Sequence, residues 1–137
     1  MDAAKIRLQG DATLTALVTG VYGHVPGAAR TAHPYLRLSS PVLDQDAFGA
    51  MGIGGGQVMF AIDGWSNAKG AHAMRAILAR VLVLLERQDL TLDQHRLGGG
   101  SLHCTLSTVF DEPDPDMPEQ LLYHGHQDWE ADVEEVG

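Results

Sequence analysis

The chain has 137 residues, 45% of them hydrophobic and 20% charged, and a formal net charge of −9; it can bury a real core and has the size of one domain, spanning residues 1–137. No apolar run approaches the roughly 20 residues that cross a bilayer. The N-terminal stretch lacks the apolar segment of a signal peptide, and the single Cys104 has no intrachain partner for a disulfide, so synthesis in the cytoplasm is expected. All nine Lys and Arg precede residue 97, and ten Asp and Glu with no Lys or Arg follow it; such a region is a poor phosphate binder, suited to repelling nucleic acid or meeting a basic partner.

Residues 3–18 read as helical, with Ile6, Leu8, Leu14, Leu17 and Val18 as the apolar positions. Gly10 weakens the middle and Asp11 is placed to cap a second half, so a break is expected there. Val21 and Tyr22 open a short extended segment, and Pro34 starts a strand, residues 35–39, with Leu36 and Leu38 on one face and Tyr35 and Arg37 on the other. Residues 40–56, rich in Gly with Pro41, Asp44 and Asp46, form the longest stretch without periodicity. A loop of that length between strands is expected to project as a flexible hairpin arm. Its Phe48, Met51 and Ile53 are then candidates for contact with another subunit or a partner surface.

The organising stretch is 57–87. Val58, Phe60 and Ile62 alternate with Met59, Ala61 and Asp63, as in a strand, before Gly64–Gly70 breaks the pattern. Ser66 or Asn67 is positioned to cap the helix that follows. In that helix Met74, Ile77, Leu78, Val81, Leu82 and Leu85 make one continuous stripe. Val83 and Leu84 sit off the stripe. They widen the core face or meet a second chain.

Residues 90–97 suggest a short strand and Gly98–Gly100 a turn. Strand 101–110 alternates Leu102, Cys104, Leu106, Thr108 and Phe110 against His103, Thr105, Ser107 and Val109. A proline-broken acidic loop follows. The last strand, 120–133, sets Trp129, Ala131 and Val133 against Asp128, Glu130 and Asp132, an acidic face. The order of elements defines an α+β fold: a small antiparallel or mixed sheet with the long helix packed on one face and an N-terminal helix beside it.

Motifs for chemistry are few. His124, His126 and Asp128 share a strand face, a spacing zinc accepts, but with no second ligand cluster they read as solvated polar residues. His103 and Cys104 are strand neighbours pointing to opposite faces, so they make no nucleophile pair. The glycines at 52–56 lead into a strand without the Lys-Ser/Thr of a phosphate loop, and Asp111–Asp116 lacks the glycine and spacing of a calcium loop. No catalytic, cofactor-binding or metal residue is assigned, and no cofactor is expected.

Several strings, in order, resemble the tail-terminator, or tail-completion, proteins of long non-contractile-tailed phages and of phage-derived gene transfer agents. They are Gly10 to Val18, Val21-Tyr22 with Val25-Pro26, His33-Pro34-Tyr35-Leu36, and Ile62-Asp63-Gly64-Trp65-Ser66 ahead of Gly70 and the long helix. The resemblance implies a non-enzymatic virion protein that assembles with itself into a hexameric ring. That ring would cap the tail tube, end its polymerisation, and join it to the head-tail connector or stopper protein. DNA would pass through the channel without specific binding, and no membrane would be involved. The particle's head-proximal tail end would be its final location. Within that picture Phe48, Met51, Ile53, Val83 and Leu84 are interface candidates, and Asp128, Glu130 and Asp132 form a lumen wall or a docking face. Alternative readings are another neck or tail component, such as a tube subunit or head-closure protein, and a small metal-dependent hydrolase.

Overall fold

A computed structural model describes residues 2–27, 32–44, 55–88, 91–92, 95–97, 102–115, 117 and 119–135. The N-terminal helix breaks where expected. Helix α1 covers Asp2–Gln9 and α2 covers Ala12–Thr15. Asp11 caps α2 by accepting a hydrogen bond from the Leu14 N–H at 2.8 Å. Strand β1 is Gly20–Tyr22 and β2 is Tyr35–Leu38. Strand β3, Val42–Asp44, pairs with the start of β4, so these three residues, assigned from the sequence to the arm, belong to the sheet. Strand β4, Gly55–Ser66, also takes in the last two glycines assigned to that arm. Phe48, Met51 and Ile53 lie outside the described residues.

Strand β4 does not stop at Gly64. It runs on to Ser66, and helix α3, His72–Leu85, starts after Ala71 with no side-chain cap. The Ser66 hydroxyl instead accepts from the Ala68 N–H at 3.2 Å, holding the corner. Short strands β5 (Thr91–Leu92) and β6 (His95–Leu97) pair with each other. Strands β7 (His103–Pro113) and β8 (Leu121–Glu135) are long, and β7 extends three residues into the region expected to be broken.

The sheet is mixed. Its path is β1-β2-β4-β8-β6-β5, with β3 on β4 and β7 on β8, and β1 and β2 are parallel while the other pairs are antiparallel. The fold is thus α+β, with the helices on one face. Its spine is the β4–β8 pair, in register from Gly55 opposite Glu134 to Ser66 opposite Tyr123. The core lies between this sheet and α1, α2 and α3. It buries Met74, Ile77, Leu78, Val81 and Leu85 of α3 against Leu36, Phe60, Ile62 and Trp129. Gly64 and Gly125 are cross-strand partners beneath α3. A Cβ at Gly125 would lie 2.7 Å from Met74 Sδ, and one at Gly64 would lie 2.7 Å from Leu36 Cδ2. The glycine pair is the notch that lets the N-terminal half of α3 sit close to the sheet.

The expected alternation of β7 changes phase. A bulge between Cys104 and Leu106 shifts the register. Leu106, Thr108 and Phe110 therefore pair with Asp128, His126 and His124 on the open face, and Leu106 and Phe110 are exposed. Cys104 remains packed at the edge of the core. A bulge inserts one residue into one strand, and every side chain beyond it changes face.

Candidate functional site

The face of the sheet opposite the helices is built from the second half of each strand's alternation: Tyr35 and Arg37 of β2, Asp63 and Trp65 of β4, His124, His126, Asp128, Glu130 and Asp132 of β8, and Phe110 and Glu112 of β7. Antiparallel pairing then decides which of them meet. Trp65 lies opposite His124, and Phe110 lies opposite His124 from the other side. The imidazole is held between them, with ring centroids 4.6 Å from Trp65 and 4.7 Å from Phe110. The row continues through Tyr35, 5.3 Å from Trp65, to Tyr22 at 6.4 Å. The Arg37 guanidinium lies 5.0 Å over the Trp65 ring.

Asp63 is the hub. Only 6% exposed, its Oδ1 accepts from His124 Nε2 at 2.8 Å and from His126 Nδ1 at 2.7 Å, while Oδ2 faces Arg37 Nη2 at 3.4 Å. Burial alone would raise its pKa. The two histidine hydrogen bonds outweigh that and hold it down to about 2. His126 is hydrogen-bonded at both nitrogens, since Nε2 reaches Asp128 Oδ1 at 2.9 Å. Its pKa is raised, first by the bond to Asp63. His124 Nδ1 is buried without a hydrogen-bond partner, 3.5 Å from Glu112 Oε1. Glu112 in turn accepts from the Trp65 indole N–H at 2.9 Å.

His124 and His126 are therefore part-buried members of a charge network, where solvated side chains were expected. The face bearing Asp128, Glu130 and Asp132 exists as the alternation predicts, but its first two carboxylates have histidine partners: His126 for Asp128 and His103 for Glu130, at 3.0 Å. Cys104 and His103 do diverge. His103 points to Glu130 on the open face, whereas the Cys104 thiol contacts the Leu106 carbonyl at 3.1 Å and its pKa is pushed up by burial. Among the described residues, no nucleophile sits beside an oriented base. Val83 is 63% exposed on α3, while Leu84 packs partly against the core and its carbonyl accepts from Arg7 Nε at 2.7 Å.

A half-open depression of about 420 Å³ adjoins the cluster, walled by His24, Tyr35, Arg37, Trp65, Glu112 and Asp114. Asp63 and Arg37 were not singled out from the sequence. The available signal was an acid in a strand at the sheet's centre, together with an arginine at an alternate position of a neighbouring strand; joining them to His124 and His126 required the β2–β4–β8 register.

The α+β fold carries exposed apolar side chains, Val83 on α3 and Leu106 and Phe110 on β7, the kind of surface that another chain covers in an assembly. The chain belongs to the tail completion protein gp17 family, whose model matches residues 6–134. A solved chain from the virion of a native gene transfer agent particle is similar over 97% of this chain and 92% of its own length, at 26% identity and a TM-score of 0.74. No curated protein sequence matches the chain. Family and structural likeness together give it a structural role in a phage-type tail. Among the described residues, no helix is long and apolar enough to cross a membrane.

Proposed function

We propose that this protein is a tail terminator: copies close into a hexameric ring on the head-proximal end of a tail tube, stop its growth and present the surface that the head-tail connector or stopper engages. The observation that carries the reading is the near end-to-end likeness, in both directions, to a chain of a gene transfer agent virion. A ring closes when each subunit offers two different complementary patches and the rotation between them is a fraction of a full turn. Here the patches are proposed to include Val83 on α3 and the arm residues Phe48, Met51 and Ile53. Leu84, partly packed against the core, is proposed to flank Val83 at the same boundary. The open acidic face of β8 is assigned to the DNA channel, where carboxylates repel phosphate. The protein is made in the producing cell's cytoplasm and ends in the particle.

Electron microscopy and mass measurement of the purified protein test this. Discrete closed rings that bind tube ends are expected. Val83→Asp should give a folded subunit that no longer forms them, because an exposed residue tolerates a charge in the monomer whereas a buried interface does not. Tubes that lengthen without limit would make this a tube subunit. Subunits that stay single in the presence of tail tubes would overturn the terminator reading.

A further inference from the structure

We propose that Asp63, His124 and His126 form a divalent transition-metal site, of the zinc class, on the open face of the sheet. One ligand atom from each residue lies within 4.8 Å of the others. The three donors come from the two strands of the sheet's spine, where Asp63 stands opposite His126, so they are positioned by the longest strand pair in the protein and not by a loop. The donor set, two imidazoles and one carboxylate, is one that Zn²⁺ accepts, with a fourth position left open.

Two of the three donor spans fit after a small adjustment. Around a tetrahedral zinc, donors stand about 3.4 Å apart. The spans from Asp63 Oδ1 to His124 Nε2 and His126 Nδ1 are 2.8 and 2.7 Å, so each must widen by little more than about half an ångström to admit the ion. The cation would replace the protons that now bridge these atoms. Arg37 stays on Oδ2, leaving Oδ1 to the metal.

The surroundings carry the inference further than the ligand triad does. Metal-bound histidines hold their other nitrogen on a carboxylate or carbonyl, which fixes the ring and raises its basicity. His126 Nε2 is already on Asp128 at 2.9 Å. His124 Nδ1 is the buried nitrogen without a hydrogen-bond partner, and Glu112 Oε1 waits 3.5 Å away. Coordination through Nε2 moves the His124 proton to Nδ1 and gives Glu112 a donor to accept from, so the metal resolves the unsatisfied atom. Trp65 and Phe110 fix the plane of the His124 ring from both sides. The site would cross-link β4 to β8 at the centre of the exposed face.

The test uses the full chain, untagged and stripped of metal, with Zn²⁺ alone as probe. Titration calorimetry and elemental analysis after dialysis should show one Zn²⁺ per chain, and thermal denaturation should move to higher temperature. His126→Gln should weaken binding about 100-fold or more, and Asp128→Asn about 10–100-fold, as for a lost ligand and a lost supporting carboxylate. A control double variant, His24→Gln with His33→Gln, should bind as the parent does. If His126→Gln fails to fold, Co²⁺ added to the unaltered chain still decides, through the intense visible bands of a tetrahedral site. Absence of stoichiometric Zn²⁺, unchanged binding in a folded His126→Gln variant, or Co²⁺ spectra of an octahedral aquo ion would overturn the assignment.

Discussion

At the scale of single residues, the most constrained polar group is Gln127. It is fully buried beneath α3. Its amide donates to the Leu78 carbonyl and the Ser107 hydroxyl, each at 3.2 Å, and its oxygen accepts from the Trp129 indole N–H at 3.1 Å. One side chain thus joins helix, outer strand and central strand while leaving no donor of its own unmatched. Gln127→Leu keeps the volume but strands the Trp129 N–H in the core. A buried donor without a partner costs about 1–3 kcal/mol, which exceeds what the added apolar contact returns. Urea denaturation should show the midpoint lowered with the slope unchanged. A variant as stable as the parent would mean that Trp129 finds another acceptor.

At the scale of elements, the joint between the N-terminal helices and α3 rests on Asp11. Its carboxylate caps α2 through the Leu14 N–H and takes both ends of the Arg80 guanidinium, Nε at 2.9 Å and Nη2 at 2.8 Å. The Arg80 hydrogen bond first, then that from Leu14, holds the Asp11 pKa down from 3.8 to about 2. A carboxylate with a depressed folded-state pKa binds its proton more readily when unfolded. Its stabilisation is therefore complete above the ordinary Asp range and is lost as the pH falls through about 2. Asp11→Asn should remove that part of the acid sensitivity and lower the thermal midpoint at neutral pH; an unchanged pH profile would separate the cap from the stability of the joint. The Asp11 cap was legible because it depends on neighbours in sequence: a glycine, an acid and an apolar run three residues on. The phase of β7 was not. Leu102 to Phe110 reads as unbroken alternation, and the bulge that turns Leu106 and Phe110 outward has no glycine to mark it. The corner after β4 failed for the opposite reason. Gly64 reads as a breaker, yet it is the smallest residue that fits under Met74. Asp63, the hub of the candidate site, was hidden because its partners lie some 60 positions away, and only strand register brings them together.

At the scale of the whole molecule, charge and architecture meet on the open face. The helices occupy one side of the sheet, so the acidic alternation of β8 is turned to the other. In the terminator reading that side lines the channel through which DNA leaves the particle. The field there is weaker than ten acids suggest, because Asp128 and Glu130 stand against His126 and His103. Asp132 lies at the exposed end of the row. Repetition around a ring multiplies what remains. The decisive variant is Glu130→Gln with Asp132→Asn, which leaves Asp128 in place so that the His126 network is untouched. Rings and tails should assemble in normal number, the protein should still not retain duplex DNA at physiological salt, and delivery of DNA to recipient cells should slow. Should the variant instead lose its attachment to the tube or to the connector, these carboxylates dock a basic partner patch. The open face would then lie against that partner, and the channel would be lined by another surface of the subunit.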